Sequence, residues 1–194
     1  MYSQTTIANM ALAYLGQPSI TSLRQDNEQA RWLSLFYEPV REEVLRTHDW
    51  AFATVEKPLV PVVQANGTGL ILYNYPADAL FIRAVYQPQQ RYNLAPFSER
   101  FEPTLHSRVL ATTLPDAWVR YTRKITDETQ YDPAFVKCFA LALACDAALA
   151  LTGDVNLSAR LQQKYTLYLE EARRTNMAEG HFVCPQTDAF SEVR

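Results

Sequence analysis

The fold is decided by one apolar segment, DPAFVKCFALALACDAALALTG, which runs from Asp132 to Gly153. It opens with an aspartate that can cap a helix and a proline that suits the first helical position. Alanine and leucine then occupy nearly every side, which is typical of a helix packed on several neighbours. Its two charges, Lys137 and Asp146, oppose membrane insertion, because each costs about 2.5–3.5 kcal/mol near the middle of a spanning helix. The segment therefore predicts the central helix of a soluble bundle.

Three further helices are predicted around this segment. They span Ser3 to Leu15, Asp26 or Asn27 to His48, and Asn156 to Asn176, and in each the apolar residues recur at helical spacing. Pro39 lies inside the second of them and removes a backbone hydrogen bond, so we expect a kink there or two helices that meet there. Trp50 and Phe52 follow and are expected to close the end of the helix pair.

The composition changes between Lys57 and Ile125, where most of the prolines lie. Runs of aromatic and β-branched residues separated by turn residues predict four strands, which span Leu70 to Tyr73, Leu80 to Tyr86, Ser107 to Thr113 and Ala117 to Ile125. The predicted class is α+β but mainly α, an antiparallel bundle of about four helices with a small antiparallel β insertion. Residues 1–56 and 126–176 would form the bundle, 57–125 the insertion, and 177–194 an extended C-terminal tail.

The tail has no helical or strand periodicity but contains the apolar side chains of Phe182, Val183, Phe190 and Val193. A segment of this kind often becomes ordered on a partner. The alternative is that it folds back on its own subunit, and the sequence leaves both open.

The charge balance argues against a nucleic-acid binder. The net charge is −3, with acidic and basic residues mixed along the chain, and no long basic run gives the usual electrostatic footprint. The three cysteines, Cys138, Cys145 and Cys184, are odd in number and widely spaced, which favours a reducing compartment over a disulfide framework. The N-terminus has no basic stretch followed by an apolar one, so we expect no secretory signal.

No catalytic, metal-binding or cofactor-binding residue is predicted. Cys138 and Cys145 share a helix face without a histidine at ligand spacing, so we interpret them as small core residues. Neither G-x-S-x-G nor H-E-x-x-H occurs. His48, in the last turn of its helix, is interpreted as a complement to the negative end of the helix dipole. Asp146 leaves two alternatives, a functional acid or the partner of an Arg or Lys from another helix or subunit.

The order of segments resembles the tail tubular protein A family, the portal-to-tail adaptors of short-tailed phages. The blocks that carry the resemblance are ALAYLGQPSITSL from Ala11 to Leu23, the step from Asp26 to Arg31, HDWAF from His48 to Phe52, YPADAL from Tyr75 to Leu80, Tyr131 to Asp154, and EEARR from Glu170 to Arg174. In the family, these blocks correspond to the end of the first helix, an aromatic pair at the end of the second helix, a turn that enters a strand, and later helices.

The resemblance implies a structural virion protein without enzymatic activity or membrane contact. It implies a dodecameric ring at the head–tail interface, made in the host cytoplasm, that contacts the portal protein and the tail nozzle or tail tube. Genomic DNA would pass through the lumen without specific binding. By the same likeness, Phe182, Phe190 and Val193 would anchor on the portal. The alternatives are a head-completion or other tail-ring protein, and a virion-associated cell-wall hydrolase.

Overall fold

The computed structural model describes residues 2–64 and 69–179. Within them, the helices are α1 (Gln4–Leu15), α2 (Glu28–Thr47), α3 (Pro133–Thr152) and α4 (Val155–Glu179). The strands are β1 (Thr54–Pro58), β2 (Pro61–Gln64), β3 (Ile71–Asn74), β4 (Ala79–Tyr86), β5 (Phe97–Glu102), β6 (Ser107–Thr112) and β7 (Trp118–Arg123). Short 3₁₀ turns at Ala51–Ala53, Pro88–Gln90 and Glu128–Gln130 link these elements.

The predicted fold class is wrong, because the chain is a mixed α/β fold and not a helical bundle with a small insertion. In the described residues the seven strands form two antiparallel sheets, ordered β1-β7-β4 and β2-β3-β6-β5. The four predicted strands are confirmed as β3, β4, β6 and β7. The three that were missed, β1, β2 and β5, are all edge strands of their sheets. Edge strands tolerate proline and charge, which weaken the apolar alternation that identifies a strand in a sequence.

The helix boundaries follow the capping residues that the sequence offers. Ser3 Oγ accepts a hydrogen bond from the Thr6 backbone N–H at 3.1 Å, and Asn27 Oδ1 accepts one from Ala30 at 2.9 Å. Asp132 Oδ1 accepts from Ala134 at 2.7 Å, so the predicted start of α3 is confirmed. The α3 helix ends at Gly153, whose φ of 65° is a left-handed conformation that suits glycine.

Pro39 does not divide the second helix in two, because α2 continues through it from Glu28 to Thr47. Proline lacks the N–H that would bond to the carbonyl of Leu35, four residues earlier. Both residues lie on the exposed side of α2, where water can bind that carbonyl. The alternative of two helices that meet at Pro39 is therefore wrong.

The helical layer is built around α3, which packs against α1, α2 and α4. One continuous core joins all four helices and includes Phe135, Phe139 and Leu143 of α3, each fully buried. In the described residues, α3 is the helix that is long and apolar enough to cross a membrane. However, 61% of its apolar 18-residue stretch is buried inside the protein. Since the core helix of a soluble protein meets the same criterion, the burial agrees with the predicted central helix.

Trp50 closes the end of the helical layer, as predicted. Its ring is fully buried and meets the Phe135 ring edge to face, with centroids 5.3 Å apart. The indole N–H donates to the carbonyl of Val44 at 3.0 Å. Phe52 also packs on Phe135, with centroids 5.1 Å apart, and its ring lies 6.3 Å from that of Trp50. Because β1 begins two residues after Phe52, this aromatic cluster also fixes where the sheets join the helices.

Candidate interaction surfaces

The C-terminal end of α2 is held by two arginines from other elements. Arg83 of β4 donates to the carbonyls of Leu45, Arg46 and His48, at 3.2, 3.0 and 2.6 Å. Arg173 of α4 donates to the carbonyl of Thr47 at 2.8 Å. The last carbonyls of a helix lack partners within it and carry the negative end of its dipole. The two guanidinium groups therefore cap α2 and fasten both the sheet and α4 to it.

This arrangement corrects the interpretation of His48 as the residue that complements the helix dipole. Burial lowers the pKa of His48, and the nearby charge of Arg173 lowers it further. The neutral ring is thereby favoured, and its Nε2 lies 2.9 Å from Nδ2 of Asn176. Arg83 and Arg173, which donate to the carbonyls, and Arg46 in the last turn of α2 supply the positive charge at this helix end.

Arg83 is the residue that the sequence analysis missed. It is the one charged residue in the apolar strand β4, ALFIRAVY. An isolated charge in such a run signals that the strand passes a group that needs the charge, but the sequence does not say which. The partner is the end of α2, more than thirty residues earlier in the chain, and only the tertiary fold brings the two together.

A cleft of about 820 Å³ opens where the end of α2, strands β1 and β7 and helix α4 meet. It is lined by polar and apolar side chains, those of His48, Asp49, Ala51, Thr54, Glu56, Arg91, Tyr92, Leu94, Arg120 and Asn176. A cleft of this size with several polar side chains is large enough to hold a small ligand.

The acidic groups of this cleft are held in ion pairs and hydrogen bonds. Glu56 accepts from Arg91 at 2.6 Å and from the hydroxyl of Tyr86 at 2.9 Å. Burial opposes ionisation of Glu56, but these two hydrogen bonds outweigh it and lower the pKa of the carboxyl. Asp49 accepts from Thr54 at 2.7 Å and pairs with Arg120 at 3.6 Å. A general acid needs a raised pKa, whereas Glu56 is held ionised.

The contacts in the cleft join the layers of the fold. Asn176 of α4 donates to the carbonyl of Asp49 at 3.0 Å, and its side-chain oxygen accepts from the Ala51 N–H at 3.2 Å. Arg91 reaches from the loop after β4 to Glu56 on β1. Each of these pairs links two different elements, so these polar side chains hold the elements together.

The cysteines of α3 behave as apolar residues. Cys138 is fully buried and Cys145 is half-buried, and burial raises the pKa of each thiol to about 11. Both are therefore protonated at neutral pH, which agrees with the core interpretation. Over residues 2–64 and 69–179, no group of three or more His, Cys, Asp or Glu side chains is arranged to hold a metal ion.

Asp146 lies on the exposed side of the C-terminal half of α3. Partial desolvation by the surrounding apolar residues raises the pKa of its carboxyl, and the charge of Glu43 on α2 raises it further. In the described part of the chain, no Arg or Lys forms an ion pair with it. The predicted partner from another helix of the same subunit is therefore wrong for these residues, and a partner from another subunit stays a prediction.

Large apolar side chains are exposed both on the helical layer and on the β layer, which is formed by the two sheets. In the helical layer these are Leu35, Leu149, Val155 and Leu167, which are 60%, 58%, 68% and 68% exposed. In the β layer they are Val60, Tyr92, Leu94 and Phe101. Leu149 and Val155 flank the α3–α4 turn, and Tyr92 and Leu94 flank the cleft. Grouped exposed apolar residues are typical of surfaces that bind other macromolecules.

The predicted anchors Phe182, Phe190 and Val193 lie outside the described residues. No protein-family model matches this chain, and no curated protein matches it.

Proposed function

We propose that this chain is a structural subunit of a phage virion, an adaptor that assembles into a ring between the portal and the tail. The observation that carries the proposal is the presence of exposed apolar groups on two different layers of the subunit. A closed ring uses heterologous contacts, in which each copy offers two different faces. A subunit with a single exposed patch would instead pair face to face.

The segments that carry the resemblance support the proposal, because they form the junctions of this fold. Gly16 is the C-terminal cap of α1, and the segment from Asp26 to Arg31 leads into α2. The aromatic cluster after α2 lies where the sheets join the helices. These positions determine how the helices and sheets are arranged in this fold.

The polar cleft favours this proposal over a cell-wall hydrolase. An inverting or retaining glycosidase needs one carboxylic acid with a raised pKa opposite a carboxylate. In the cleft, the pKa of Glu56 is lowered and Asp49 is paired with Arg120. Both carboxylates serve as fastenings between elements.

In the proposed ring, genomic DNA passes through the lumen without specific binding. The net charge of −3 suits such a passage, because a surface that does not attract phosphate does not retain the DNA. The partners are further copies of this chain, expected to be twelve by the resemblance, the portal protein, and the tail nozzle or tail tube. The protein would be located at the head–tail interface of the virion.

The test is sedimentation of the purified chain with portal complexes of the same virus, followed by negative-stain microscopy. We expect the chain to move to the portal fraction and to add a ring-shaped layer at one end of the portal. A chain that stays at the top of the gradient with the portal present would contradict the proposal. A chain that instead joins filled heads or tail tubes would favour the head-completion or other tail-ring alternatives.

A shortened variant tests the proposed portal anchors. Deletion of residues 180–194 leaves α4 complete to Glu179 and removes Phe182, Phe190 and Val193. We expect the shortened chain to keep a cooperative thermal unfolding transition and to lose portal binding. Unchanged binding would assign portal recognition to the described residues.

A further inference from the structure

Two exposed helical faces of this subunit have opposite charge. The first, called the acidic face, combines Leu35, Pro39 and Glu43 of α2 with Asp146 and Leu149 of α3, all of them exposed. On α2 the three residues are spaced by four, and on α3 the two are spaced by three, so each set shares one side of its helix.

The two halves of the acidic face lie on α2 and α3, which pack against each other. The charge of Glu43 raises the pKa of Asp146, so the two carboxylates interact electrostatically. In the described part of the chain, neither carboxylate takes part in an ion pair with Lys or Arg. This face therefore has two negative charges beside exposed leucines.

The second face, called the basic face, consists of Arg160, Lys164 and Leu167 on α4. The spacing of four and three places them on one side of the helix, opposite the buried residues Leu161 and Leu169. No acidic residue lies between Asp154 and Glu170, so the two cations stand without a compensating charge nearby along the helix.

Both cations of the basic face are accessible. Lys164 lies over the ring of Tyr14, with its Nζ 4.5 Å from the centroid, and remains exposed. Arg160 is exposed and forms no hydrogen bond or ion pair with the other residues that the structure describes. Leu167, one of the most exposed apolar residues of the helical layer, lies between them and the C-terminal half of α4.

We infer that the acidic face of one copy binds the basic face of the next copy, with the leucines of the two faces packed together, Arg160 opposite Asp146, and Lys164 opposite Glu43. The inference rests on the proposed function, because it names the contact that would build the ring. Opposite charges fix the register and orientation of such a contact, and like charges exclude the wrong pairing. Each copy has one face of each kind, so the contact is heterologous and propagates until the ring closes.

The test is a charge exchange followed by native mass spectrometry and analytical ultracentrifugation of the full chain. Asp146→Lys and Arg160→Glu each place like charges in the contact. We expect each single variant to weaken assembly at least about tenfold in the concentration needed for half-assembly. The double variant restores opposite charges in every contact, so it should assemble within about threefold of the unchanged chain.

The matched controls are Asp26→Lys and Arg24→Glu, which make the same charge changes in the exposed loop before α2. They should assemble as the unchanged chain does. Circular dichroism melting of every variant separates loss of assembly from loss of folding. If Asp146→Lys lowers the melting temperature, Asp146→Asn is used in its place. This variant removes the negative charge without reversing it and should give a smaller loss of assembly.

The outcomes separate this inference from the proposed function. If the unchanged chain and both single variants form the same rings, the inference is overturned and the proposed function stands. Single variants that fail to assemble without rescue by the double variant would also overturn it, because the two side chains would not face each other. A chain that forms no assembly alone or on the portal would overturn both.

Discussion

The helical layer and the β layer are stabilised in different ways. In the helical layer, one continuous core of buried apolar side chains joins all four helices around α3. Among the described residues of the β layer, the buried side chains form two smaller clusters, one of which centres on Leu72, Val109 and Ala111. Polar contacts add to them, such as the hydrogen bond of 2.8 Å from the hydroxyl of Tyr121 to Asp78. The helical layer therefore depends on apolar burial, and the β layer depends more on specific polar ties.

The two layers also depend on each other. Arg83 is part of the sheet, but three of its hydrogen bonds go to the end of α2. The hydrogen bonds of Arg83, called the tie between the layers, therefore hold the β layer, which has the smaller core, against the helical layer. Substitutions in the two layers and at this tie should consequently differ in size and in how far their effects spread.

The largest effect is expected in the core of the helical layer. Trp50→Ala removes a fully buried ring from the aromatic cluster and loses the hydrogen bond to Val44. Such a change costs about 3–5 kcal/mol of the free energy of unfolding. Urea denaturation followed by circular dichroism measures it.

Trp32→Ala on the outer side of α2 is the matched control. This ring is only half-buried, and its indole N–H has no hydrogen-bond partner in the described residues. Its loss should be clearly smaller. Equal losses from the two substitutions would contradict the view that the helical layer depends on one continuous core.

The tie between the layers should give the second largest effect. Arg83→Met keeps the length of the side chain but removes its hydrogen bonds to the end of α2. Hydrogen bonds to charged groups are worth about 1.5–3 kcal/mol, so we expect a loss of about 2–3 kcal/mol. Hydrogen exchange should become faster both in β4 and in the last turn of α2.

Arg123→Met, at the end of β7, is the control for this change, because Arg123 is half-buried and donates only to Gln130 within the described chain. It should leave both regions protected. Faster exchange in β4 alone after Arg83→Met would contradict the proposed tie.

The start of the central helix should be of intermediate importance. Asp132→Ala removes the side chain that accepts from the N–H groups of Ala134 and Phe135. Loss of such a cap costs about 1 kcal/mol. Asp132→Asn keeps an acceptor and should cost only a few tenths. Thermal melting of the two variants checks the difference, and the same melting temperature for both would argue against capping as the cause.

The smallest effect is expected on the exposed side of the β layer. Phe101 on the edge strand β5 is 63% exposed, so Phe101→Ser should change the stability of the monomer by less than about 0.5 kcal/mol. Denaturation at a concentration where the chain is monomeric measures this. A loss comparable to that of Trp50→Ala would mean that the residue is covered in the folded subunit.

The sequence predicted the helical layer far better than the β layer, and the reason is physical. The caps at Ser3, Asn27 and Asp132 and the apolar segment of α3 are local signals, so they identify helices without knowledge of the tertiary fold. The edge strands β1 and β5 are rich in charges, and β2 opens with Pro61, so their patterns do not stand out from loops. As a result the sequence pattern predicts only a small insertion, whereas the strands form two sheets.

The candidate surfaces were harder to predict than the fold. The isolated charge of Asp146 is visible in the sequence, but Glu43, which raises its pKa, belongs to a helix more than a hundred residues earlier in the chain. Arg83 was visible as a charge in an apolar strand, but its partners are backbone carbonyls, which leave no trace in side-chain patterns. Contacts between elements distant in the chain depend on the packed structure.

The most direct test of the account is the mass of the particle that this chain forms on the portal. Native mass spectrometry of the unchanged full chain with portal complexes should show one closed species, heavier than the portal by a fixed whole number of 22.1 kDa subunits. A chain that remains at 22.1 kDa at every concentration, or that adds to the portal in variable number, would contradict a subunit whose function is to close a ring.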